Sequence, residues 1–248
     1  MPEWRDDAIV LSARAHGEGS AVINLLTRER GRHAGLAQGV RGKSTRGLYE
    51  VGNRLTVDWR ARLEDQLGRF GAELTTPTAA LLMEDGDALT AAAACCALLD
   101  IVLPEREPQP GVFEATVVLL DNLTRPNWHE VVIYWELGLL AALGYGLDLT
   151  RCGATGAEED LAWVSPKTGR AVSREAGEPW KDRLLPLPRF LGGALESEQP
   201  ILDGFRLTGH FIEEWLLAPL HREPPAARSR LLDRLERGTT ISGRSPIE

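Results

Sequence analysis

The chain has 248 residues, 43% hydrophobic and 26% charged, enough to bury a core as one large domain or a few small ones. No apolar run approaches the roughly 18 residues of a membrane span. The polar, acidic start Met1-Pro-Glu-Trp-Arg-Asp-Asp7 is unlike a secretory or transit signal, and three cysteines, two adjacent as Cys95 and Cys96, suit a reducing cytoplasm better than a disulfide framework. The formal net charge of −8 disfavours nucleic acid on average, yet residues 1–62 carry 11 Lys and Arg against 7 Asp and Glu, a net of +4, leaving −12 on the rest. A basic head on an acidic body points to an anionic partner at one end, because local potential steers association.

From Asp7 to about Leu74, short apolar runs are punctuated by glycine. Ala8–Ala13 predicts a strand, His16–Ser20 a turn and Ala21–Thr27 a second strand, with Arg28-Glu-Arg-Gly31 as a tight hairpin turn whose glycine takes a positive φ. His33–Gln38 predicts the third strand, Asn53–Ala61 the fourth, with Leu55, Val57 and Trp59 alternating, and Gly68–Leu74 the fifth. Five short strands without a helix-length pattern between them predict a small closed barrel such as an OB-fold over residues 1–77.

After Thr76-Pro77 the period becomes helical, so residues 78–248 are expected to form a helical domain and the whole chain an α+β multidomain fold. Thr78–Leu103, rich in Ala and Leu and stopped by Pro104, predicts one helix, and Gly111–Leu123 a second. The third opens at Asn127, with Glu130 three residues on as in a capping box, and ends at Gly144 and Gly146. Val131, Tyr134, Trp135, Leu139 and Leu143 form its expected core face. Residues 147–182 are a turn-rich insert, beyond which Leu207–Leu220 and Ala226–Glu236 return to helix and the tail 238–248 is expected to fray.

Within the insert, Cys152-Gly-Ala-Thr155 is followed after 17 residues by Ser173-Arg-Glu-Ala176. That is the spacing of a four-cysteine zinc site, in which two tight pairs wrap a tetrahedral ion. Only Cys152 offers a thiolate; Thr155, Ser173 and Ala176 offer none, so neither a tetrathiolate zinc ion nor another cofactor is expected. As an inherited frame, the segment keeps a zinc-ribbon-like shape by side-chain packing, with Trp163 filling space.

The segment Gln38–Gly47 places Arg41, Lys43 and Arg46 among glycines with no acid, a loop able to follow a phosphate backbone. It lacks P-loop spacing, because Ala37 stands where the first glycine is required. Arg14, Arg28, Arg30 and Arg32 lie at strand ends or turns of the same barrel and extend the patch. The five histidines are scattered, with no H-x-x-H or H-E-x-x-H pair, and no G-x-S-x-G elbow occurs, so nothing asks for an enzyme. Most tryptophans are expected in the core, with base stacking open for Trp59.

In order and spacing, several segments together resemble the RecO family of bacterial recombination mediators: the strand Ala8–Leu11, the Gly17-Glu-Gly-Ser20 turn, Asn24–Gly31, the loop Gly39–Ser44, Tyr134–Tyr145, and Asp160–Ala176. The last looks like a branch that has lost its zinc. The resemblance implies an N-terminal OB-fold, a helical C-terminal domain and a zinc-ribbon-like insert. It further implies a non-enzymatic role: binding single- and double-stranded DNA, annealing strands, and working with RecR to place RecA on DNA coated by single-strand-binding protein. By loop position, DNA contact is carried over to Arg41, Lys43 and Arg46, with Arg14, Arg28 and Arg32 as weaker candidates. The acidic C-terminal tail of single-strand-binding protein is expected on the helical domain, at no residue the sequence singles out. An OB-type adaptor that binds only acidic protein partners is the alternative reading.

Overall fold

Strand pairing, more than local propensity, decides where the first elements begin and end. The computed structural model describes residues 2–40, 42, 45 and 47–242. Strands β1 (Glu3–Ala15), β2 (Ser20–Thr27), β3 (Gly31–Gln38), β4 (Arg54–Arg60) and β5 (Arg69–Thr76) close into a barrel in the order β1-β2-β3-β5-β4, the OB-type arrangement expected. Strand β1 starts at Glu3 rather than Ala8 because it pairs on both edges. Glu3–Ile9 run against Arg60–Arg54 of β4, and Ala8–Ala15 run against β2. An irregularity between Val10 and Ser12 bends the strand between its two partners. The charged start holds this place through Asp6, whose carboxylate accepts the N–H groups of Asp7 and Glu29, both at 2.8 Å. Gly31 has φ 67°, as the hairpin requires, and a Cβ there would lie 1.9 Å from the Glu107 carbonyl oxygen.

Ala8, Val10, Ile23, Leu25, Leu55, Val57, Trp59 and Phe70 fill the barrel. At one end Trp4 stacks on Trp59 with ring centroids 5.6 Å apart, and the buried His33 ring meets both edge-on. Burial lowers the His33 pKa, and Arg106 and Arg30 act in the same direction, against the Ala34 carbonyl and Glu105.

The single helix expected over Thr78–Leu103 is two: α1 (Thr78–Leu81) and α2 (Gly86–Val102). The Asp85 carboxylate accepts the N–H groups of Asp87 and Ala88, each at 3.0 Å, and so starts a new helix. Helix α2 buries Cys95 and Cys96 as small apolar residues, and α3 (Pro110–Asn122) follows. Asp100 of α2 anchors a polar knot on the barrel. It accepts Ser12 Oγ at 2.8 Å and Asn24 Nδ2 at 3.3 Å, and lies 3.6 Å from the largely buried Arg32 guanidinium.

Two compact units emerge, Met1–Arg125 with Pro225–Arg228, and Pro126–Pro224 with Ser229–Glu248. The first extends past residue 77 because α2 and α3 share ion pairs and packing with the barrel. The second contains α4 (Trp128–Ala142), β6 (Leu161–Val164), β7 (Ala171–Ser173), α5 (Arg174–Gly177), β8 (Leu185–Pro186) and α6 (Pro200–Phe211). Strands β6, β7 and β8 form a small sheet in the order β7-β6-β8. Helix α6 starts at Pro200, not Leu207, with proline in its first turn, and runs on into a π-type turn over Ile212–Leu217. Helix α7 (Ala226–Ser242) continues beyond Glu236, and residues 243–248 of the expected frayed tail lie outside the described residues. Two details of α4 differ from expectation. Asn127 makes no side-chain cap, and Tyr134 is half exposed, its hydroxyl donating to the Phe190 carbonyl, while Trp135 and Leu139 are buried. Tyr134 falls on the side of α4 opposite the face that buries Val132, Trp135, Glu136, Leu139 and Leu140.

Asp100→Ala takes one of two acids from the largely buried Arg32 guanidinium, leaving Glu105 and the Leu103 carbonyl, and removes the acceptor of Ser12 and Asn24, so it is expected to cost about 2 kcal/mol in urea unfolding; a loss under about 0.5 kcal/mol would contradict this role. His33 binds a proton less readily folded than unfolded, so its contribution is complete above about pH 6.5 and lost as pH falls below it. The wild type should therefore lose more stability between pH 7 and pH 5 than His33→Phe does.

Candidate nucleic-acid interface

The basic excursion between β3 and β4 contains Arg41, Lys43 and Arg46, which lie outside the described residues. Its described flanks are tied to the barrel. Val40 N–H donates to the Gly19 carbonyl at 3.1 Å, and the buried Asn53 side chain donates to the Gly47 carbonyl at 2.8 Å. Val40, Leu48 and Tyr49 pack against the barrel core.

The other candidate cations divide into two kinds. Arg14 is 75% exposed and only reaches Asp100 at 4.0 Å. Arg28, by contrast, pairs with Asp7 and Glu114 and lies over the Phe113 ring, and Arg32 donates to the Leu103 carbonyl at 2.8 Å between Asp100 and Glu105. Arg54 forms a two-bond pair with Asp121 of α3. Acids of α2 and α3 thus engage Arg28, Arg32 and Arg54 of the basic head, a partnership that composition by segment does not reveal.

A groove of about 970 Å³ opens on the barrel surface, lined by Gln38 of β3, Arg60 of β4, Arg69 and Gly71 of β5, and Arg62 of the connecting loop. Arg60 and Arg69 are directly opposite in the β4–β5 register. Trp59 and Phe70 point inward and are buried, so the next residue on β4 and the preceding one on β5 point out. Arg60 lies 3.5 Å from Glu3, both exposed; among the described residues, Arg62 and Arg69 have no acidic partner within 4 Å. The loop rim is fixed from below. The Arg106 guanidinium donates to the Glu64 and Gln66 carbonyls, and Trp59 Nε1 donates to Leu67 at 3.0 Å. Gly68 has φ 65° and a Cβ there would fall 2.3 Å from Trp59 Nε1. Sequence reasoning counted Arg60 and Arg62 only as part of the basic head and passed over Arg69. The alternations Trp59-Arg60 and Arg69-Phe70 were the signal available. Trp59 is only 2% exposed, so the base stacking left open for it does not occur.

In the insert, the Cys152 thiol accepts the N–H groups of Thr155 at 3.4 Å and Ser173 at 3.3 Å, drawing three of the four frame positions together. The residues present do not fit a tetrathiolate ion, and among the described residues no three His, Cys, Asp or Glu side chains group as a metal site. Burial pushes the Cys152 thiol up, but hydrogen bonds from Ser173 and Thr155 outweigh it and bring the pKa to about 6. No helix of the described residues is long and apolar enough to cross a membrane.

Fold and surface together define an α+β protein with an OB-type barrel, cations on its outer face, and a second, largely helical unit. Residues 1–77 match the family described as Recombination protein O N terminal, and residues 83–224 match Recombination protein O C terminal. The chain is 51% identical over 247 residues to a DNA repair protein RecO of Rhodospirillum centenum, covering 98% of this chain and 99% of that one. The RecO proteins of Rhodospirillum rubrum and of a Jannaschia species are 48% and 47% identical, covering 96% and 97% of this chain and 98% and 99% of theirs. The chain belongs to the recombination protein O family.

The Cys152 contacts carry a pH signature. Folding lowers the thiol pKa from 9.0 to about 6, so the thiolate's contribution is complete above pH 9 and lost as pH falls through 6. Wild-type stability should rise relative to Cys152→Ala by at most about 1.4 kcal/mol per pH unit across that window; parallel curves would sink the thiolate assignment.

Proposed function

We propose that this chain is a non-enzymatic recombination mediator in DNA repair that binds single- and double-stranded DNA and anneals complementary strands. In this reading it works in the cytoplasm, at the nucleoid when bound to DNA. It acts with RecR to place RecA on DNA coated by single-strand-binding protein, whose acidic C-terminal tail docks on the helical region. Residues 1–77 form the DNA-binding module; residues 78–248 form the helical module, with 147–182 as its insert. The observation that carries the reading is the match of both parts of the chain to the recombination protein O family, the first part spanning the barrel and its basic excursion. Annealing requires phosphate repulsion to be screened while base edges stay free, and a basic surface that reads no sequence does this.

Arg41, Lys43, Arg46 and the exposed Arg14 are the cations proposed to meet DNA from the basic loop and its neighbourhood. Arg28 and Arg32, engaged by acids of the protein itself, are assigned to packing. Anisotropy titration of a labelled single strand over a salt series tests this. The expected log-log slope is about −0.7 per phosphate neutralised, and Arg41→Glu/Lys43→Glu/Arg46→Glu should abolish binding at moderate salt. Unchanged binding in that variant moves the site away from the loop, and no binding by either protein favours an adaptor for acidic protein partners.

A further inference from the structure

We propose that the groove along β3, β5 and β4 is a second phosphate-backbone site, where Arg60, Arg62 and Arg69 hold a nucleic-acid strand by its phosphates and leave its bases unstacked. The inference rests on the DNA-binding reading and adds to it a surface separate in sequence from the 39–47 loop.

Charge placement points to an anionic occupant. Arg60 and Arg69 face the same side of adjacent antiparallel strands in direct register. Like charges so placed destabilise a sheet, and Arg62, two residues beyond Arg60, lines the same groove as a third cation. The neighbouring acids offset little of this. Asp58 is held by Arg5 at 3.2 Å, and the Glu3 contact to Arg60 is an exposed pair of the kind that contributes least. A phosphodiester lying between the guanidiniums relieves the repulsion and accepts their forked N–H groups.

Shape and rigidity agree with a chain-like occupant. Gly71 leaves the floor open, with nothing within 4 Å of the place a Cβ would take. The rim from Glu64 to Gly68 is already held by Arg106 and Trp59, so binding orders little. The three cations are exposed rather than gathered in a closed pocket, which suits a repeating polyanion better than one small ion. The absence of stacking follows from the interior. Trp59 and Phe70 are buried inside the barrel, Trp4 packs against them, and none of the barrel's Trp, Tyr or Phe rings is among the exposed aromatics of the described residues. Barrels that grip single strands by their bases need such rings at the surface.

The test uses the full chain, a labelled oligothymidine and an abasic strand of equal length, titrated over a salt series. Arg62→Gln/Arg69→Gln, with wild-type circular dichroism and melting temperature, is expected to weaken binding of both strands and to reduce the log-log salt slope by about 1.4, or 0.7 per lost contact. The wild type should bind the abasic strand within about threefold of oligothymidine, since stacking adds nothing. Wild-type affinity and slope in the groove variant, with binding lost in the Arg41/Lys43/Arg46→Glu variant, overturn the groove while leaving the DNA-binding reading intact. Oligothymidine bound more than about tenfold tighter than the abasic strand overturns phosphate-only binding. No binding of either strand by the wild type defeats the underlying reading itself. Should the double variant misfold, Arg60→Gln provides the comparison, with the slope reduced by about 0.7 for its one contact.

Discussion

The strands of the barrel turn alternate side chains into a closed interior and onto an outer face that is solvated along β4 and β5 but covered at Ile9, Leu11 and Leu26, and the return of β1 onto β4 fixes the phase of that alternation. With Trp59 and Phe70 inside, Arg60 and Arg69 have only the outer face available. The same burial that builds the aromatic end of the core therefore sets two guanidiniums opposite each other and removes the rings that would stack on bases. A slip of one residue on β4 would turn the Trp59 ring into water and the Arg60 charge into the core, each far costlier than the like-charge contact.

The basic head of the chain performs two different jobs. Arg28, Arg32 and Arg54 bind the barrel to α2 and α3 through Glu114, Asp100 and Asp121, so part of the positive charge is internal mortar. Arg32 is the most buried of the three and needs its acids, since an uncompensated guanidinium away from water costs several kcal/mol. Among the described residues, Arg14 and the arginines along the groove keep their charge toward solvent.

The segment around Cys152 is organised by hydrogen bonds to its sulfur. Cys152 alone cannot hold zinc, yet its sulfur gathers the Thr155 and Ser173 N–H groups and becomes a better acceptor as it ionises. Trp163 lies on β6, largely buried, and a Cβ on Gly177 would fall 2.3 Å from its ring, so this glycine and the indole define each other's space. Elsewhere in the same unit the buried Glu136 carboxylate accepts the Thr208 hydroxyl, a polar link between α4 and α6 satisfied away from water.

Local pattern was enough for the five strands, their glycine turns and the switch to helix after Pro77, because alternation, positive-φ glycines and proline stops act over a few residues. It misjudged elements whose limits are set by distant partners. Glu3–Asp7 is strand because β4 supplies its ladder, and Tyr134 faces outward because α4 is turned to bury Val132, Trp135, Glu136 and Leu139 on its other side. The break at Asp85 was legible in Asp85-Gly86-Asp87 but hidden by the apolar run around it. The candidate site divides the same way. The density of arginines belongs to the sequence alone, whereas which arginines are neutralised by Asp100, Glu114 and Asp121, and that Arg60, Arg62 and Arg69 share one groove, was decided only by tertiary structure, since Coulomb's law depends on distance in space and not along the chain.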